Sequence, residues 1–464
     1  MHYDPVKLWG TPMSFYRSVL FQIVIVGFVS FTQPGIWNAL NNLGAGGEQK
    51  PYLVNGANAL TYGIMIIGCT LAGPLCNVIG CKWTLVLGAV FYTPYASSLY
   101  CNNRYGIEWY VLFGAALCGI GASMFWASEA AIAVGYPTEA QRGRMVSIWL
   151  GIRNLAPLIG GAISMAFNTS GDESGKVSYS TYLVLIAIQC LGAPAALLLS
   201  PPEKVQRPDG SRVPHLKRQD TSFRGELLGI WHVVRRPEFA LLIPIFITGI
   251  WGTTYQSNYL TTYFSVRSRA LASLLTAIAN LFADLVMALI TDMRSIGTQA
   301  HRAWWAWAAL AVWITALWIW QLITQIHFVH DPSPVDWAGG DFRFNNAIAV
   351  LILWKFFYEA QLAYVYWLVG TYHHVDGTLE RTVGVLRTFE SVGSCFSYVV
   401  GATHWPFLNQ AILSFSLWAA CLIPTTLAVR LVPHHKIEMT LNEVEEYGSL
   451  SDKCSDHSLQ TPDQ

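Results

Sequence analysis

The chain has 464 residues, of which 53% are apolar and 12% are charged, and its formal net charge is zero. Since an ordinary soluble domain carries about 25% charged residues, this composition excludes such a domain and indicates a protein that lies in a lipid bilayer. The balanced charge gives no reason to expect a nucleic-acid partner.

Segments that are apolar enough to cross a membrane follow one another along the chain. Such a helix needs about 20 mostly apolar residues. The first segment is too long, and too rich in Gln and Asn at its far end, for a cleaved signal peptide. We number the segments span one to span twelve and predict them near residues 15–40, 55–79, 83–101, 108–135, 145–168, 180–200, 238–264, 270–291, 303–328, 344–372, 382–402 and 407–431.

The basic residues predict how these spans are oriented. An even number of spans places both termini on one side, where 19 Lys and Arg residues lie, against six on the opposite side. Cytoplasmic loops carry the excess of basic residues, so we expect both termini to be cytoplasmic. The pattern does not distinguish the plasma membrane from an internal membrane.

Span one contains a proline and a set of carboxamides. Pro34 lacks an amide hydrogen and clashes with the preceding turn, so we expect the helix to break there. Asn38, Asn41 and Asn42 share one helix face. Because carboxamides facing lipid are costly, Gln33 and Asn38 are candidate solute ligands, with helix packing and hydration at the outer end as the alternatives.

The loop after span two resembles the signature Gly-x-Leu-x-Asp-Arg-x-Gly-Arg-Lys of the major facilitator superfamily. Asn77 stands where the signature has Asp, and Val78 where it has Arg, which weakens a charged gate in the first half. The matching positions are Gly73, Leu75, Gly80 and Lys82. The candidates for a conformational gate are therefore Gly73, Asn77, Gly80 and Lys82, with Asp292 and Arg294 in the corresponding loop of the second half.

Ionisable side chains within the spans are the strongest functional signal. Each charge at mid-membrane costs roughly 2.5–3.5 kcal/mol on insertion scales, so such residues usually pair or face water. Glu129 in span four could reach Arg153 in span five, and Glu359 in span ten could reach Arg387 in span eleven. The full set is Glu129, Arg153, Asp284, Lys355, Glu359, Arg387 and Glu390.

Pairs within one helix compete with those cross-helix pairs. Lys355 and Glu359 are spaced i to i+4, and Arg387 and Glu390 i to i+3, whereas Asp284 has no obvious partner. The charges could form buried pairs that hold the helices in register, since breaking such a pair costs about 3–5 kcal/mol. Alternatively, a carboxylate could exchange a proton or meet a solute, and both interpretations stay open.

Three further segments complete the chain. The sequon Asn168-Thr169-Ser170 lies at the outer end of span five, where glycosylation is topologically possible. The connector 201–237 carries eight basic residues, which either touch anionic lipid or only set the topology, and its residues 222–234 have the spacing of a short amphipathic helix. Residues 433–464 form a polar, acidic tail that we predict to be disordered and cytoplasmic, like residues 1–14.

Catalytic and metal-binding patterns are not found. The nine cysteines form no CxxC pair, and the two His-His pairs lack partners at the spacing of a metal site. The chain has no phosphate-binding glycine loop, no Gly-x-Ser-x-Gly elbow and no His-Glu-x-x-His motif. We therefore expect neither a cofactor nor a metal, and we do not expect an enzyme.

The two halves resemble each other, and the chain resembles a known family. Gly35-Ile36-Trp37 recurs as Gly249-Ile250-Trp251, 214 residues later, as parallel repeats would. Residues 12–432 resemble the fungal branch of the uncoordinated-type ion channel regulatory protein family, a divergent group of the major facilitator superfamily. The segments that carry this resemblance are Phe31–Gly47, Trp126–Ile132, Tyr136–Glu139, Arg153-Asn154 and Arg235–Phe239.

The resemblance implies an all-α integral membrane protein with about twelve helices in two six-helix bundles. We predict the bundles at 15–200 and 238–432, with 201–237 as the connector. Members of the family include presumed transporters and others that act as channel subunits or trafficking partners. The sequence therefore predicts a transporter of an unidentified small solute, with proton coupling as one possibility and a non-transporting partner of a membrane protein as the alternative.

Overall fold

Long helices make up almost all of the computed structural model. It describes residues 7–8, 11–12, 15–47, 51–137, 139–168, 177–207, 213, 231–292, 297–372 and 378–432. Spans one to six are Val19–Asn42, Pro51–Ile79, Cys81–Tyr105, Glu108–Gly135, Glu139–Phe167 and Tyr179–Leu197. Spans seven to twelve are Pro237–Tyr263, Val266–Asp292, Gln299–His330, Phe342–Thr371, Thr378–Ala402 and Phe407–Arg430.

Ten of these helices are long and apolar enough, within the described residues, to cross a membrane. The other two are spans three and eleven, whose sequences contain more polar side chains. Every helix begins and ends within six residues of its predicted bounds. The predicted all-α fold of about twelve helices is confirmed.

Spans one, six and seven are each interrupted. Span one is helical over Val19–Ser30 and Ile36–Asn42, with a π-helical turn at Phe31–Gly35 between them. Span six divides into Tyr179–Cys190 and Gly192–Leu197, and span seven into Pro237–Ala240, Ile243–Gly249 and Trp251–Tyr263. The π turn contains Pro34 and accommodates its missing amide hydrogen. The helix is therefore not broken at Pro34 as the sequence predicted, but only widened by one π-helical turn, and it continues from Ile36.

The short elements lie at the helix ends. Lys7–Leu8 and Thr11–Pro12 pair as a small antiparallel hairpin. Single 3-10 turns occupy Ala45–Gly47, Pro202–Lys204 and Trp337–Gly339.

The helices form two apolar cores, one in each half of the chain. The halves meet where span two packs along span eleven and span five along span eight. Small residues allow this approach, because a Cβ on Gly161 of span five would lie only 2.8 Å from Leu274 Cα of span eight. Side chains near the middle of these four spans therefore face the contact between the halves.

The start of the connector is held against the first half. Arg207 donates to the carbonyl oxygens of Tyr136 and Gly135 at 2.9 and 2.8 Å, and Gln206 N donates to Arg17 O at 2.8 Å. Of the predicted amphipathic helix, only its last residues are described, and 231–235 are helical. The rest of that helix and the predicted tail at 433–464 lie outside the described residues.

Candidate functional site

Glu129 is fully buried near the end of span four, and its partners are uncharged. One carboxylate oxygen accepts hydrogen bonds from the Ser30 hydroxyl and, at 2.5 Å, from the indole nitrogen of Trp149. Its other oxygen has no hydrogen-bond partner among the described residues. The ion pair between Glu129 and Arg153 that the sequence allowed does not form. The hydroxyl group of Ser30 in span one and the indole of Trp149 in span five contact the Glu129 carboxylate instead.

Arg387 and Glu390 form an ion pair within span eleven. Arg387 Nη1 lies 3.0 and 2.9 Å from the two carboxylate oxygens, and the Tyr366 hydroxyl donates to the same carboxylate at 2.6 Å. The side chain of Glu390 is only 3% exposed, whereas that of Arg387 is 39% exposed. Of the two predicted partners for Arg387, the structure selects the one on its own helix and not Glu359.

Trp126 of the first half lies between two arginines. The guanidinium carbon of Arg387 is 4.7 Å from the centroid of its ring, and that of Arg153 is 5.4 Å from it. Because Arg387 belongs to the second half, this aromatic ring connects the charges of the two halves. Such cation–π contacts contribute about 0.5–2 kcal/mol each.

Asp284 of span eight also joins the halves. Asn154 of span five donates to its carboxylate at 2.8 Å. The sequence indicated no partner for Asp284, whereas the structure provides this carboxamide from the other half. Glu359 of span ten is half-buried and has no hydrogen bond or ion pair to any described residue. The charges of Asp284, Arg153, Lys355 and Glu390 all act on it.

A cavity of about 100 Å³ lies between the two halves. The first half contributes Trp37, Asn38, Tyr62 and Trp126 to its wall, and the second half contributes Arg387, Glu390, Ser391 and Ile250. A further cavity of about 20 Å³ lies within the second half, among Trp318, Trp354 and Trp418.

The two candidate ligands of span one have different environments. Gln33 is buried and donates to Gln189 O of span six at 2.7 Å, so its carboxamide packs two helices together. Asn38 is exposed on the wall of the cavity between the halves. The widened turn at Pro34, which also lines that cavity, lies one helical turn before Asn38.

The candidate gate is only partly described. Gly80 separates spans two and three with φ of 86°, a conformation that favours glycine. Lys82 is half-buried, with its ammonium 5.7 Å from the ring centroid of Trp83. Arg294 lies outside the part of the chain that the structure describes, and Gly73, Asn77 and Asp292 are described only as helical backbone.

The glycosylation candidate Asn168 is buried. Its amide nitrogen donates to Ser164 O at 2.7 Å and to Thr181 Oγ1 at 2.9 Å, and its oxygen accepts from Ser178 N at 2.7 Å. A glycan is attached through that amide nitrogen, so this geometry disfavours modification of the folded chain.

Hydrogen bonds join the halves at the face of the molecule opposite the termini. Arg269 at the start of span eight donates from Nε to Leu43 O and from Nη2 to Gly44 O, at 2.8 Å each. Asn55 of span two donates to Asn258 Oδ1 of span seven at 2.7 Å. We name these contacts the outer seal, since the spans alternate in direction and all of these residues lie at their non-terminal ends.

Sequence reasoning did not select several of these residues. Arg269 contributed only to the predicted topology, although it is one of few basic residues on the predicted outer side and is the fourth residue of an apolar helix. Trp126 lies in a segment that carries the family resemblance, yet nothing local indicates its two arginine neighbours. Among the described residues, no cluster of metal-ligating side chains is found.

Comparisons with known proteins agree with this architecture. The model of the family "Ion channel regulatory protein UNC-93" matches residues 54–317. Notoamide biosynthesis cluster protein O' of Aspergillus versicolor is 34% identical over 90% of this chain and 90% of that protein. An UNC93-like protein of Schizosaccharomyces pombe is 30% identical over 93% of this chain and 85% of that protein. UNC93-like protein 1 of Arabidopsis thaliana is 26% identical over 87% and 88% of the two chains.

Solved structures with similar folds are transporters. A nucleoside transporter superposes with a TM-score of 0.57 at 11% identity, over 88% of this chain and 99% of that chain. A D-xylose-proton symporter superposes with a TM-score of 0.56 at 13% identity, over 91% and 98%. At these identities the likeness shows the fold alone, which is that of the major facilitator transporters.

Proposed function

Because the chain belongs to the UNC-93 family and has the major facilitator fold, we propose that it moves a small organic solute across a membrane by alternating access. The two six-helix bundles rock about a site near the midplane, so that the site opens to one side at a time. Both termini face the cytoplasm in this proposal, in line with the distribution of basic residues.

The cavity between the halves carries the proposal. Both bundles contribute polar side chains to it, namely Asn38 from one and Arg387 from the other. The outer seal closes one face by hydrogen bonds that only exist while the halves touch there, such as those from Arg269. A site shared by two bodies and closed at one face is what alternating access requires.

Glu359 is our candidate for proton coupling. Its carboxylate lies inside the membrane-spanning region without a hydrogen bond or ion pair to the described residues, and buried carboxylates of this kind often carry protons in transporters. Asp284 and Glu390 repel its negative charge, whereas Lys355 and Arg153 attract it. Protonation of Glu359 therefore changes the balance of charge between the halves.

A non-transporting partner of a membrane protein is the second candidate function. The family's name supports it, and so do the carboxylates of Glu129 and Glu390, which are held by hydrogen bonds or an ion pair. Glu129 is held by Ser30 and Trp149, and Glu390 is held by an arginine and a tyrosine. Static pairs of this kind suit a structural role. Glu359, which is not locked in this way, favours transport.

The test compares metabolites inside cells and in the medium for a strain that lacks the protein. The strain is complemented with wild type, with Glu359→Gln, or with Glu108→Gln, which changes an exposed glutamate at the first turn of span four. Equal amounts in the membrane are verified by immunoblotting. Transport predicts that one solute shifts on deletion and that only wild type and Glu108→Gln restore it.

Two results would count against the proposal. If no solute shifts, the second candidate function takes precedence, and proteins that co-purify with the chain should be identified. If a solute shifts but its transport persists unchanged after the pH gradient is collapsed, transport stands and proton coupling is wrong.

A further inference from the structure

Arg387 uses only part of its hydrogen-bonding capacity. Nη1 makes both contacts to Glu390, while Nε and Nη2 donate to no protein atom in the described part of the chain. The side chain is 39% exposed and lines the cavity between the halves. The free edge of a guanidinium formed by Nε and Nη2 can bind a carboxylate through two parallel hydrogen bonds.

The remaining wall of the cavity is mainly apolar and aromatic. Asn38 is exposed there, and the indole nitrogen of the neighbouring Trp37 is buried with no acceptor among the described residues. A ligand thus meets few polar groups and a large ring-lined surface. The apolar and aromatic lining residues are Tyr62, Met65, Tyr92, Ala122, Trp126 and Ile250.

We propose that the cavity binds an organic acid with an aromatic or polycyclic body, whose carboxylate lies against the free edge of Arg387 and whose rings pack on the aromatic wall. This inference rests on the proposed function and names the substrate class of the same cavity.

A second cation lies near Arg387. Glu390 already balances Arg387, so a bound anion needs a second cation nearby. Arg153 is such a cation, because both arginines contact the Trp126 ring that lines the cavity, although its charge also acts on Glu129, Asp284 and Glu359. A carboxylate placed there contacts one bundle through Arg387 and lies near the positive charge of the other.

A sugar fits the same wall less well. Each of its hydroxyl groups needs a polar partner when it is buried. Besides Arg387 and Glu390, the mainly apolar wall offers Asn38, Thr61, Ser391 and the hydroxyl groups of Tyr62 and Tyr92. An acid with an apolar body needs only one polar attachment point.

The test measures binding to the purified full chain by equilibrium dialysis. The probes are radiolabelled naphthalene acetate, indole acetate and fluorene carboxylate, each beside its neutral amide. The variants are Arg387→Lys, which keeps the charge but loses the planar fork, and Arg343→Lys. Arg343 is a matched control because it pairs with Asp331 in the loop before span ten, away from the cavity.

We expect at least one acid to bind about tenfold more tightly than its amide, since hydrogen bonds to charged partners are roughly twice as strong as neutral ones. Arg387→Lys should weaken binding of that acid by about tenfold and leave its amide unchanged, whereas Arg343→Lys should have no effect. The comparison of acid and amide on wild type needs no variant, so misfolding of Arg387→Lys cannot decide the outcome.

The inference is overturned if no acid binds saturably, if the amides bind as tightly as the acids, or if folded Arg387→Lys keeps full affinity for the acid. Uptake into proteoliposomes separates it from the proposed function. Binding of an acid without uptake keeps the ligand class and refutes transport. Uptake of the amides that is insensitive to Arg387→Lys keeps transport and refutes the ligand class.

Discussion

Replacing Arg269 by Met should open the face of the protein opposite the termini. The buried guanidinium of this residue, in span eight, donates to Leu43 O and Gly44 O at the end of span one. The donor and the acceptors belong to different halves. Both hydrogen bonds therefore stabilise only the conformation in which the outer seal is closed.

The size of the effect follows from these two bonds. A hydrogen bond to a charged group contributes about 1.5–3 kcal/mol, so the pair stabilises the closed conformation by roughly 3 kcal/mol or more. Since about 1.4 kcal/mol corresponds to a factor of ten, the ratio of closed to open molecules should fall by about a hundredfold. The hydrogen bond from Asn55 to Asn258 remains and limits the change.

Labelling of Cys69 with an impermeant maleimide measures this ratio. Cys69 lines the cavity between the halves, and it is kept as the sole cysteine. The reagent is added to the non-terminal face, from which the outer seal screens the cavity. Arg267→Met is the matched control, because Arg267 lies two residues away but pairs with Asp336 of its own half.

Labelling should accelerate by up to about a hundredfold in Arg269→Met and stay at the wild-type rate in Arg267→Met. An unchanged rate in correctly folded Arg269→Met would refute the reasoning. Equal acceleration in both variants would indicate that span eight is loosened locally, and that the bonds across the halves do not hold the seal.

Two further predictions concern packing and the outer loop. Gly393→Ala should lower the unfolding temperature, at a cost of about 1–3 kcal/mol, because the new Cβ would overlap the carbonyl group of Ile247; Gly151→Ala, which meets nothing within 4 Å, should be neutral in the same thermal scan. The hydrogen bond from Arg267 lowers the pKa of Asp336 from 3.8 to about 2. The ionised form therefore stabilises the fold above about pH 4, and this contribution is lost as the pH falls towards 2. The unfolding temperature of wild type should accordingly converge on that of Asp336→Asn over this range, and a constant difference would contradict the assignment.

The two halves use their charges differently, although the sequence repeats one layout. A glutamate in span four and an arginine in span five correspond to Glu359 and Arg387 in spans ten and eleven. The structure pairs neither couple. Arg387 takes Glu390 on its own helix, and Glu129 takes a hydroxyl and an indole. Because of this asymmetry, Glu359 is left without a hydrogen bond or ion pair to the described residues.

Much of the fold could be predicted from the sequence because its determinants are local. A membrane span needs an apolar run of sufficient length, and that requirement can be counted along the chain. Gly80 between spans two and three is likewise local, since its positive φ depends on the backbone of one residue. The expected break at Pro34 was only partly right, since a π turn inside the helix absorbs the proline.

The partners of the polar side chains were decided by the tertiary structure. Asp284 looked unpaired in the sequence, yet Asn154 of the other half reaches it. The sequence indicated the same role for Gln33 and Asn38. In the structure Gln33 hydrogen-bonds to a neighbouring helix, whereas Asn38 lines the cavity. Arg269 gains its role only where two distant helix ends meet. The physical reason is the same in each case: the length and apolarity of a span depend on its own residues, whereas its rotation and its neighbours depend on how twelve helices pack together.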